Sequence, residues 1–163
     1  MNSHEKEGDW LNLRDKWITA LMTHPKDKII ELGNRLGERY KAEHRKVPKA
    51  GLAMLRLRES VLGETFNLGE FPLSSAKVVL TASNSKTAEG GALVMVDDAN
   101  LAVALAICDA VLAAQWEGAE EVAEFVRVGL GKLAEEESER EQVLASSKVN
   151  FALLNQEGEE DDE

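Results

Sequence analysis

From residue 51 to residue 80 the chain alternates apolar and polar positions, turns at a glycine, and alternates again (GLAMLRLRESVLGETFNLGEFPLSSAKVVL). Ala53, Leu55 and Leu57 fall on one side and Met54, Arg56 and Arg58 on the other, the period of two that a half-buried strand requires. The pattern predicts a first strand ending near Arg58, a return strand over 64–70 and a third over 75–81. A polar loop over 81–89 follows. Gly90-Gly91 then introduce Ala92-Leu93-Val94-Met95-Val96, a continuous apolar run suited to a strand covered on both faces.

Helical periodicities flank this sheet. Asp9 reads as an N-cap, with Trp10, Leu13, Trp17, Ile18 and Leu21 on one face of the helix that follows. His24-Pro25 ends that helix, because the residue before proline avoids helical dihedrals. Pro25 can open a second helix at its first position. There Ile29, Leu32, Leu36 and Tyr40 recur every three or four residues, until the basic stretch 41–49 closes it. The N-terminus therefore reads as a helical hairpin.

Asp97-Asp98 cap the next helix, 99–115. Among ANLAVALAICDAVLAAQ only Asn100, Asp109 and Gln115 are polar. A helix apolar nearly all round must be covered on both sides, and cover from this chain and from a partner is expected. Ala102, Ala106, Ala110 and Ala114 form a ridge of small side chains that permits close helix packing. After Gly118 a Glu-rich helix runs to about residue 146, with Val122, Phe125, Val126 and Leu133 as its stripe. Residues 148–154 alternate like a short strand that completes the sheet edge or pairs with a partner.

The fold expected is α+β: an N-terminal helical hairpin, a four-stranded antiparallel meander, two further helices and a short C-terminal strand. A single domain over 9–154 is expected, between a disordered N-terminus (1–8) and an acidic disordered tail (155–163).

Composition narrows the function. The net charge of −11 argues against a freestanding nucleic-acid binder, although six of those charges sit together at Glu157, Glu159, Glu160, Asp161, Asp162 and Glu163. One cysteine, Cys108, excludes an internal disulfide, and the polar start MNSHEKEGD carries no secretory signal, so a cytoplasmic location is expected. The helix 99–115, with its central aspartate, is a poor membrane span.

No self-contained catalytic set stands out. Gly129-Leu130-Gly131-Lys132 resembles the end of a phosphate loop, but Val126 occupies the position of the required glycine. Asp98 and Asp109 lie roughly 16 Å apart along one helix and cannot share an ion. His4, His24 and His44 have no ligand-spaced partners. Cys108 reads as a small core residue. Asp109, flanked by Leu105 and Leu112, needs a donor such as Arg56 or Arg58, or one from a partner chain. A freestanding enzyme acting on a small anion through Asp109 with Arg56 or Arg58 is one reading; a non-catalytic adaptor is another.

GLAMLRLRESVLGETFNLGE resembles the central motif of the PhnG family, the small G subunit of the bacterial carbon–phosphorus lyase core complex. GGALVMVDDANLAVALAICDAVL is similar to that family's glycine-led strand and alanine-rich helix. Arg14-Asp15-Lys16-Trp17 matches its opening helix, and Ser147-Lys148-Val149-Asn150-Phe151 its closing segment. Ser74-Ser75 and Asn150 depart from residues common in the family.

The resemblance implies an accessory subunit in organic phosphonate catabolism. The G, H, I and L subunits together form α-D-ribose 1-methylphosphonate 5-triphosphate from ATP and methylphosphonate, releasing adenine. The J subunit, with an iron–sulfur cluster and a radical cofactor, then breaks the carbon–phosphorus bond. Partners are thus the I, H, J and L subunits, with no nucleic acid and no membrane. ATP is a substrate of the complex, and no cofactor or metal is expected on this subunit. The partner interface is expected at Phe66, Asn67, Leu68, Gly69 and Glu70, at Ala102, Ala106, Asp109 and Ala110 on the alanine-rich helix, and at Val149 and Phe151.

Overall fold

The computed structural model describes residues 14–146. Its elements run α1 (Arg14–Leu21), α2 (Lys26–Arg39), β1 (Glu43–Arg58), β2 (Thr65–Thr81), β3 (Thr87–Val94), α3 (Ala99–Ala114) and α4 (Ala119–Ser146). The strands form an antiparallel sheet in the order β1-β2-β3. The α+β class is as expected; two helices open the described chain, but they do not pack on each other as the expected hairpin, α1 lying chiefly against α4 and α2 against α3. Pro25 sits one position earlier than expected, as the N-cap of α2.

The four-strand expectation is corrected to three strands among the described residues. The predicted return strand and third strand are one continuous strand, β2. Pro72 does not break it, because there β2 pairs only with β1 and keeps an open edge that tolerates a missing N–H. The basic stretch 43–49 is not the end of a helix but the start of β1, recruited by pairing to residues 75–79 of β2. That stretch has no alternation of its own; tertiary context overrides it. Two one-residue bulges, at Arg45 and at Val47-Pro48, mark the misfit. The 81–89 loop shrinks to a tight turn at 82–86. The expected C-terminal strand, the Asp9 cap and the acidic tail lie outside the described residues.

Among the described residues the sheet is covered on one face only. Ser74, Ala76, Val78 and Leu80 of β2, with Gly90, Ala92 and Val94 of β3, turn inward and are buried. Leu93 and Met95 turn outward and are about two-thirds exposed (65 % and 66 %), so the expectation of a strand covered on both faces fails. A two-period strand with one wet face explains the run better.

Against the inner face lies α3, and the rest of the core is built around it. The sheet covers one side of it, α2 the other, and α4 and α1 complete the cover. Every residue over 101–112 except Val103 is buried. The all-round apolar sequence is therefore explained within this chain, each fully buried Leu or Ile contributing about 1.5–3 kcal/mol. Asp98 starts the helix by accepting from Leu101 N (3.0 Å), and Gln115 ends it in the left-handed region at φ 53°.

The alanine ridge does permit close packing, but chiefly against a strand. A Cβ at Gly90 would collide with the Ala106 carbonyl oxygen and with Ala110. Only glycine lets β3 lie that close to α3. Gly129, once a fragment of a possible phosphate loop, is the equivalent point between α4 and the Ala20 carbonyl of α1.

Candidate partner interface

Beyond Ser74 the helical layer stops, and the sheet continues as a two-stranded arm over residues 50–73. Antiparallel pairing runs from Ala50↔Ser74 to Arg58↔Thr65, about 30 Å at the usual rise per residue. Alternation along β1 is as expected, with Ala53, Leu55 and Leu57 on one face and Met54, Arg56 and Arg58 on the other, but among the described residues neither face is covered. Leu52 (70 % exposed), Met54, Leu55, Leu57, Phe66 and Leu68 (61 %) all meet solvent. Large exposed apolar patches are characteristic of interaction sites in general, and a lone two-stranded hairpin is marginal in water.

The tip is held by its own polar groups. Glu59 accepts from Val61 N (2.9 Å) and Leu62 N (2.5 Å), Arg58 Nε donates to Gly63 O (2.8 Å), and Gly63 takes φ +73°. The two backbone donors stabilise the charged carboxylate and hold the Glu59 pKa below its ordinary value. In the Phe66-Asn67-Leu68-Gly69-Glu70 segment, Leu55 pairs with Gly69 while Arg56 pairs with Asn67, so a bulge falls there as its glycine suggests. All five of these residues are exposed.

The structure pairs Asp109 differently from either arginine considered. Arg56 and Arg58 lie out on the arm. The donor is Arg14 of α1, whose Nε and Nη2 meet the two carboxylate oxygens at 2.9 and 2.8 Å. Gly91 N also donates to Asp109 Oδ2 (3.1 Å). One side chain thus ties α1, α3 and the edge of β3 together while only 7 % exposed. The carboxylate in turn raises the Arg14 pKa, chiefly through the hydrogen bond. With its oxygens engaged, Asp109 has the geometry of a structural clasp, and the Asp109–Arg56/Arg58 enzyme reading loses its pair.

The PhnG family model, described as phosphonate metabolism protein PhnG, matches residues 12–156. This chain belongs to that family. No curated protein matches it. The PhnG match spans the arm, the clasp and α3 together, so phosphonate metabolism is the setting in which the exposed arm is to be understood.

The other expected interface residues divide sharply. Ala102, Ala106 and Ala110 are fully buried by elements of this chain. Val149 and Phe151 lie outside the described residues. Cys108 is buried, and burial pushes its thiol up to about 12, which leaves it protonated and inert at neutral pH. Among the described residues no group of three or more His, Cys, Asp or Glu is placed to hold a metal, and no single helix is long and apolar enough to cross a membrane.

Two contributors escaped sequence reasoning. Ser74, fully buried, donates to Val96 O (2.7 Å) and accepts from Asp98 N (3.0 Å), fastening β2 to the start of α3. Its signal was a polar residue at the inward register of Ala76, Val78 and Leu80. Arg14 carried no signal beyond its place in a family motif, since its partner lies 95 residues away.

Proposed function

We propose that this PhnG-family protein is an accessory subunit of the carbon–phosphorus lyase system, acting with the I, H and L subunits to form α-D-ribose 1-methylphosphonate 5-triphosphate from ATP and methylphosphonate. Its work is to hold the I subunit in an active shape, with the J subunit acting after it. The observation that carries this reading is the arm: a long two-stranded ribbon with exposed apolar side chains on both faces, covered by nothing among the described residues. The 66–70 segment is its contact surface, with Val149 and Phe151 contributing from the C-terminal side. Ala102, Ala106, Asp109 and Ala110 act indirectly, by fixing the platform from which the arm projects.

Adenine release from ATP plus methylphosphonate tests the reading. This protein alone is expected to be inactive, and the mixture with I, H and L active only when it is present. Turnover by this chain alone, or undiminished activity without it, would sink the proposal.

A further inference from the structure

The outer face of the sheet, opposite α3, holds a hollow of about 500 Å³ lined by Lys46, Val47, Lys49, Ser75 and Lys77, with the outward side chain of Leu93 giving it an apolar floor. The bulge at Val47-Pro48 lies at its rim. The register sets Lys46 directly opposite Lys77, whose other neighbour is Gly91, and Lys49 opposite Ser75, whose other neighbour is Leu93. Like charges facing each other across neighbouring strands destabilise a sheet.

Among the described residues no carboxylate relieves them. Arg14, Arg35, Arg39 and Arg45 are each engaged by a carboxylate. None of these three lysines has a carboxylate partner among the described residues. Glu89, on the same face, is taken by Arg45 at 3.0 Å. A chain of net charge −11 thus sets three ammonium groups, without a carboxylate partner among the described residues, around one concavity. Gly91 adds no side chain to block them.

The geometry points to a binding site for a multivalent phosphate, of the size of a nucleoside polyphosphate. Lysine is a point-charge phosphate ligand, and three such groups within two ladder rungs match several phosphoryl oxygens at once. The volume falls in the range of small-molecule sites, and the apolar floor suits a flat ring beside the phosphates. This site goes beyond the accessory-subunit reading. It is tested on the free chain, so its failure leaves the partner dependence of adenine release untouched.

Calorimetric titration of the full chain with inorganic tripolyphosphate, ATP and tetraglutamate, in about 0.15 M salt, decides it. One saturable site is expected for both polyphosphates. Equal affinity would assign the site to the phosphate chain alone, and tighter ATP would bring in the apolar floor. The triple variant Lys46→Gln, Lys49→Gln, Lys77→Gln should weaken binding at least tenfold. An equally charged control, Lys16→Gln, Lys28→Gln, Lys86→Gln, should retain it; these are exposed positions, and thermal melts check that both fold. No saturable binding of either polyphosphate, equal weakening in the control, or equally tight tetraglutamate would overturn the inference.

Discussion

Helix α3 and the arm both carry many apolar side chains and meet opposite fates. Around α3 the protein supplies every neighbour: the sheet on one side, α2 on the other, and a capped start and finish. Along the arm the described residues supply backbone pairing and a polar tip, and leave most of the side chains exposed. Apolar content alone does not distinguish a core from an interface; who covers it does. The core residues should therefore respond to mutation through stability, and the arm residues through assembly.

The largest effect is expected at the tightest core contact. Gly90→Ala forces a Cβ into the Ala106 carbonyl and should cost about 3 kcal/mol in urea unfolding. Ala106→Leu, from the other side of the same contact, should cost about 1–3 kcal/mol. Unchanged melting for both would mean that β3 does not rest on α3.

The clasp comes next. Asp109→Ala strands the Gly91 N–H and the Arg14 guanidinium. Because the Arg14 side chain is 53 % exposed, solvent screening holds the expected loss to about 2 kcal/mol rather than the full cost of a buried orphan charge. A double-mutant cycle with Arg14→Ala should show coupling, and strict additivity would contradict the pairing.

On the arm the pattern should invert. Leu52→Ser with Leu68→Ser should leave unfolding within about 0.5 kcal/mol of the parent. Association with the I subunit should weaken tenfold or more, about 1.4 kcal/mol. Loss of stability with intact association would erase the contrast between the regions.

The smallest effect is at the tip. The Glu59 pKa is lowered in the folded arm, so its stabilising contribution is present above the unfolded value and is lost as pH falls through the folded one. The Val61 and Leu62 amide resonances should shift with a midpoint below the ordinary glutamate range. Glu59→Gln should abolish that titration.

The contrast also explains what the sequence made legible. The α3 boundaries followed from Asp98 and an unbroken apolar run, and its buried state from its lack of a polar face. The alternation over 51–58 identified the ribbon and divided its faces correctly. Period-two logic then overreached, assuming that an alternating strand is half-buried and dividing the continuous β2 into a return strand over 64–70 and a third over 75–81. Neither holds where a strand has a free edge and no helix behind it. The partner of Asp109 was illegible for a different reason. A carboxylate in an apolar stripe announces that it needs a donor, but pairing across 95 residues depends on how α1 docks.

Hydrogen exchange of this chain, free and bound to the I subunit, tests the central claim most directly. Amides over 101–112 should be protected in both states, and those over 50–73 should exchange readily in the free chain and slow markedly in the complex. Slowing confined to the helices, with the arm unchanged, would contradict the account.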